Sequence, residues 1–210
     1  MVNLVSAQRP LRADARHNRE ALVASARTAF AEHGLDASLD DIAKQAGVGS
    51  GTLYRHFPTR EQLVAAVYAA RLAENVELAE TELQNPDPWD GFTGYVRGTC
   101  MSQVADRGLA DLVGVGYPDA ELSALRSRAY ELATQLSERA QASGILRADF
   151  SPADIALLVL AVAGVIRRAE DDAERFAERF IALALDGYRA EGATTAPPAI
   201  PLSSLQERLR

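Results

Sequence analysis

The chain has a single cysteine, Cys100, in 210 residues, so no internal disulfide can brace it. Long apolar runs are also missing. The longest, residues 155–166, falls well short of the roughly twenty residues needed to span a bilayer, and Arg167 and Arg168 close it, so it reads as a buried helix. Residues 1–10 hold no apolar run ahead of a cleavage site; without a signal peptide the expected location is the cytoplasm, with no membrane partner. No metal-ligand spacing, glycine-rich phosphate loop or nucleophile elbow occurs. A helical enzyme would have Cys100 as its only obvious nucleophile, and the candidate bases, His17, His33 and His56, all lie in the first sixty residues. No catalytic residue, metal or cofactor is therefore expected. Strand-length alternation and internal repeats are absent too, which leaves an all-α chain.

What is present suffices for a sizeable core, with 48% hydrophobic and 24% charged residues in one or two domains. The net charge of −7 is unsuited to a polyanion, yet it is unevenly spread. Residues 1–60 carry eight basic and six acidic side chains, net +2, so the remainder carries −9. A polyanion would meet the N-terminal end and be repelled elsewhere; chance asymmetry of solvated faces would give the same count.

Residues 1–12, with Pro10 and little periodicity, read as a flexible arm. From about Ala13 a helical stripe of Leu22, Ala26, Ala29 and Phe30 runs to Gly34, which stands where a left-handed cap belongs. Ser38 and Asp41 have capping-box spacing and open a short second helix, with Ile42, Ala43 and Ala46 inward and Gly47 past its end. Ser50 is placed to cap a third helix, from Gly51 to about Phe57, which Pro58 stops. Thr59 and Gln62 then pair ahead of a long fourth helix carrying Leu63, Val64, Val67, Tyr68, Leu72 and Val76. After the turn at Asn85, Pro86, Asp87 and Pro88, a helical segment runs from Trp89 to about Ala105. An irregular stretch around Gly108 and Gly116 follows, then a helix from about Pro118 to Ala142. Ser151, Pro152 and Asp154 start another helix, and a last one spans about Ala173 to Arg189. The proline-bearing stretch from Ala193 reads as a tail, with Leu202 to Arg210 left for a partner to order. About nine helices are expected: a three-helix helix-turn-helix domain at 13–60, a helical effector-binding and dimerisation domain at 61–192, and a tail at 193–210.

Two short helices joined at Gly47, Val48 and Gly49 meet the requirements of a helix-turn-helix, a tight turn followed by a helix with an exposed N-terminal face. Gly51 and Thr52 lead that face with little bulk, Tyr54, Arg55 and His56 supply donors farther along, and Leu53 and Phe57 belong to the core. Arg60, in the first turn of the fourth helix, is placed to reach a phosphate. Tyr54 and His56 have the alternative of covering the junction with the first helix.

The run from Ser38 to Val48, and that from Gly51 to Leu63 through Tyr54-Arg55-His56-Phe57-Pro58-Thr59-Arg60, resemble the TetR family of one-component repressors. The likeness is dense over residues 16–64 and rests on helix count and order beyond them. It implies that Ser38, Thr52, Tyr54, His56 and Arg60 touch backbone phosphates while Ser50, Gly51 and Arg55 face bases. Lysine is frequent in the family where Arg60 stands. The implied function is sequence-specific transcription regulation, with repression relieved by a small molecule.

One helix-turn-helix discriminates weakly, so a homodimer on a palindromic duplex operator is expected. Two helical stripes are candidates for its interface: Ile155, Leu158, Val159, Val162 and Ile166, with Phe176, Phe180, Ile181 and Tyr188. Packing of part of each stripe within one subunit is the alternative. The middle of the chain holds aromatics and polar tips suited to a small-molecule pocket: Trp89, Phe92, Tyr95, Thr99, Cys100, Met101, Gln103, Tyr117 and Tyr130. Each of them also suits plain core packing. A helical DNA-binding or partner-binding dimer without an effector remains the rival reading.

Overall fold

The computed structural model describes residues 8–105, 120–169 and 172–199, and among them eight helices and no strand. Helix α1 (Gln8–His33) starts before the expected Ala13, so residues 8–12, read as part of an arm, are helical. Pro10 does not prevent this, because the first turn of a helix needs no backbone N–H from it. Helices α2 (Leu39–Gln45) and α3 (Ser50–His56) follow as short elements, and α4 (Arg60–Glu82) as a long one.

The caps that set these boundaries are mostly those legible in the sequence. Ser38 Oγ accepts from Asp41 N at 3.3 Å, and Thr59 Oγ1 accepts from Gln62 N at 3.3 Å. Ser50 is a correction: the cap of α3 is Gly49, whose carbonyl accepts from Thr52 N at 2.8 Å, while Ser50 is already helical. Gly47 has φ +71°, a left-handed conformation that side chains resist, and so lets the chain reverse between α2 and α3.

Helices α1 to α3 and the first half of α4 enclose one core of Leu22, Ala26, Phe30, Ile42, Ala43, Leu53, Phe57, Leu63 and Val67, which Leu122 also joins. The second core belongs to α5 (Pro88–Ala105), α6 (Ala120–Ala142), α7 (Pro152–Ala169) and α8 (Ala173–Gly187), together with the far end of α4 at Ala79. Helix α4 is thus common to both cores, and it packs extensively on α6. Its C-terminal end is held by Arg139, which donates to the carbonyls of Leu83 at 2.5 Å and Asn85 at 2.9 Å. Close approach at the α4–α5 corner needs Gly91, since a Cβ there would stand 2.5 Å from the backbone oxygen of Glu82.

The apolar run 155–166 forms most of α7, with Ile155, Leu158, Val162 and Ile166 buried, and no helix among the described residues is long and apolar enough to cross a membrane. Ser151 and Asp154 cap α7 reciprocally: Ser151 N donates to Asp154 Oδ2 at 2.8 Å and Ala153 N to Ser151 Oγ at 3.3 Å. The start of the tail is tied down. Arg147 Nη2 donates to the Thr194 carbonyl at 2.6 Å, and Ala196 N donates to Asp149 Oδ2 at 3.2 Å. The Arg147 guanidinium and the Ala196 N–H hold the Asp149 carboxyl well below the usual carboxylate range. The irregular stretch around Gly108 and Gly116 and the segment from Leu202 lie outside the described residues.

Candidate functional site

The turn at Gly47 sets α3 across α2 with Leu53 and Phe57 in the core and the opposite face outward. Gly51 and Arg55 are exposed, Thr52 is partly so, and Tyr54 is 49% exposed although it is a large aromatic. A Cβ built on Gly51 meets nothing within 4 Å, so packing within the chain does not demand a glycine there. Ser38 is exposed at the start of α2; its oxygen caps the helix, and its O–H is a donor not spent on that bond.

Two expected residues make hydrogen bonds within the chain, and a third is partly enclosed. Ser50 Oγ donates to Asp40 Oδ1 at 2.6 Å, which joins α3 to the first turn of α2 and leaves the oxygen of Ser50 able to act as an acceptor. His56 is half-buried, with Nε2 enclosed and without a hydrogen-bond partner among the described residues. Arg60, expected to reach a phosphate, spends one guanidinium nitrogen on the chain itself. Its Nη1 donates to the carbonyls of Leu35 and Ala37, each at 2.7 Å, across the loop that ends in Ser38. The spacing of charged residues gave no sign of this, because the partners are backbone groups brought near by the fold. Sequence reasoning also missed Arg19, whose guanidinium carbon lies 5.1 Å from the Phe57 ring and braces α1 on the end of α3.

In the middle region Trp89, Phe92, Tyr95, Thr99, Cys100 and Gln103 all come together on α5 and are buried, while Met101 is partly buried. Tyr130, on α6, does not join them; it is 42% exposed. Tyr117 lies outside the described residues. Burial pushes the Cys100 thiol and the Tyr95 phenol up to about 12, so both are neutral hydrogen-bonding groups near neutral pH. The helical register also brings Asn75 and Arg71 of α4 against this set, and neither was singled out from the sequence. The available signal was a pair of polar residues, i and i+4, beside the apolar stripe of α4. Among the described residues, no cluster of His, Cys, Asp and Glu is placed to hold a metal ion.

Most of the expected dimer stripe is instead interior to the chain. Ile155, Leu158, Val162, Ile166 and Ile181 are buried within one subunit, and Val159 and Tyr188 pack against the same core. Only Phe176, at 56%, and Phe180 of that set are exposed, and they are joined by Leu183, at 54%, and by Leu157 of α7. Positions 176, 180 and 183 lie along one face of α8, beside the stripe of Ala173, Ala177, Ile181 and Leu185 that faces the core.

Known proteins of similar sequence and fold agree with this architecture. Residues 22–67 match the family model of bacterial regulatory proteins of the tetR family, and residues 87–190 match that of the C-terminal domain of SbtR-like transcriptional regulators. An HTH-type transcriptional regulator of Staphylococcus aureus is 43% identical over 54 residues, a match that takes in 25% of this chain and spans only 29% of that protein's length. A TetR transcription regulatory protein of Mycobacterium vanbaalenii is 37% identical over 86% of this chain and 99% of its own, with a TM-score of 0.62. A TetR regulator of Streptomyces coelicolor is 34% identical over 81% of this chain and 98% of its own, with a TM-score of 0.63. FadR of Bacillus subtilis, solved in complex with stearoyl-CoA, is 15% identical with a TM-score of 0.60 and shares the fold alone. With both halves matched and the helix-turn-helix in place, the chain belongs to the TetR family of bacterial regulatory proteins, which are transcription factors and not enzymes.

Proposed function

We propose that this chain is a cytoplasmic, sequence-specific repressor that binds a palindromic duplex operator as a homodimer and is released from it by a small-molecule effector. The observation that carries the DNA-binding part is the front edge of α3. Gly51, Thr52, Tyr54 and Arg55 face outward over a buried Leu53 and Phe57, and nothing among the described residues calls for the small residue at Gly51. Ser38, Thr52, Tyr54 and the outer edge of His56 then hold phosphates, while Ser50, Gly51 and Arg55 face base edges. With its proton given to Asp40, Ser50 suits the amino group of adenine or cytosine.

The homodimer reading is supported by the apolar face of Leu157, Phe176, Phe180 and Leu183, which α7 and α8 would bury in a four-helix bundle with their symmetry mates. Two recognition helices can then lie about 34–36 Å apart on successive groove turns. Helix α4, common to both cores, is the element through which an effector would change that separation. Such a ligand weakens operator binding only by favouring the form that does not fit DNA.

Selection of bound duplexes from a random pool, followed by salt titration on the best site, tests the core of this reading. A single preferred palindrome, with affinity falling about 0.9 log units per log salt for each phosphate held, is the expected result. Binding without sequence preference, or none at low salt, would overturn it. A DNA-binding dimer without an effector is the second reading, favoured by the burial of Trp89, Phe92, Tyr95 and Cys100 in the core.

A further inference from the structure

A group of polar side chains, Thr99 and Gln103 buried and Arg71 and Asn75 partly so, links α4, α5 and α7. Arg71 and Asn75 stand one turn apart on α4, and Thr99 and Gln103 one turn apart on α5, so each pair shares a face of its helix. Asn75 Nδ2 donates to Thr99 Oγ1 at 3.3 Å. Arg71 donates to the carbonyl of Ser102 at 2.8 Å and to its hydroxyl at 2.7 Å. Gln103, only 1% exposed, donates from Nε2 to the Val159 carbonyl of α7 at 3.0 Å.

That last bond fixes which way the Gln103 amide points, since turning it over would set two oxygens against each other. Its Oε1 is therefore an acceptor. It is buried without a hydrogen-bond partner among the described residues, and so is Oδ1 of Asn75. Buried acceptors without donors disfavour folding, and a leucine at the core position of Gln103 would pack without that penalty. The core of α5 and α7 to which Gln103 is bonded is apolar, with Cys100, Leu158 and Val162 among its buried residues, and the guanidinium of Arg71, held on α5 at Ser102, opposes a cationic ligand.

We propose that Gln103 and Asn75 are the polar recognition pair of the effector site, and that the effector is a neutral, mainly apolar molecule offering an N–H or O–H donor. The proposal rests on the effector reading above and supplies its chemistry. A donor shared between Asn75 and Gln103 would tie α4 to the body formed by α5 and α7, and α4 carries the N-terminal core at its other end.

Phenol and toluene, which differ by O–H against CH3, probe this directly by methyl NMR titration of the full chain. Phenol is expected to bind about tenfold more tightly than toluene, and Gln103→Leu or Asn75→Leu to bring the two within about twofold by weakening phenol alone. Thermal melts show which leucine variants remain folded, and either one suffices. Equal or tighter binding of toluene to the unaltered chain, or a ratio unchanged in the folded variants, overturns the donor requirement while leaving a ligand site in place. If neither probe shifts the α5 and α7 methyls, the region is packed core, and the effector reading falls as well.

Discussion

Arg60 Nη1 lies 2.7 Å from the carbonyl oxygen of Ala37, the residue next to the cap of α2, and equally close to that of Leu35. The first residue of α4 therefore holds the loop that positions Ser38. Arg60→Ala removes two charge-assisted bonds and should destabilise the chain by about 1.5–3 kcal/mol, read as a lower midpoint in denaturant. The salt dependence of operator binding should keep its slope. A slope flattened by about 0.9 would return Arg60 to the phosphate contacts.

Gly51→Ala separates folding from binding. The added methyl group meets no atom within 4 Å among the described residues, and alanine is the better helix former by up to about 1 kcal/mol. The variant should melt at the same or a higher temperature yet bind the selected operator at least about tenfold more weakly, because its methyl intrudes on the base edges. Undiminished affinity would remove α3's leading edge from the groove.

Adjacent residues on α8 should fail in different ways. Phe180→Glu places a charge on the exposed apolar face and should yield folded monomers in sedimentation, with operator binding lost. Ile181→Ala opens the interior of the subunit and should cost about 2–5 kcal/mol without first dissociating dimers. A Phe180→Glu chain that remains dimeric would place the interface elsewhere.

Cys100 and Tyr95 make stability fall at high pH. Burial raises the thiol from 9.0 and the phenol from 10.0, each to about 12, so the unfolded chain releases these protons first as pH rises. Their contribution is fully present below pH 9 and should decline from pH 9 to 12, by up to about 1.4 kcal/mol per pH unit for each group. Denaturant melts across that range check the trend. At pH 8 iodoacetamide should leave Cys100 untouched in the folded chain and label it in urea; rapid labelling of the folded chain would contradict its burial.

Local patterning in the chain was enough to locate the elements and the helix-turn-helix. Ser38, Gly47, Thr59 and Ser151 act on backbone groups within a few residues, so spacing alone reports them. The division of Leu53 and Phe57 from Tyr54 and Arg55 follows equally from helical period. The tertiary structure decided what depends on approach between distant segments. It chose Ile181 over Phe180 for the core, gave Arg60 to the carbonyls of Leu35 and Ala37, committed Ser50 to Asp40, and set Asn75 beside Thr99. A helix with apolar residues on two faces has two equivalent readings until another helix packs against one. A long polar side chain likewise has no assigned partner until folding brings one within reach.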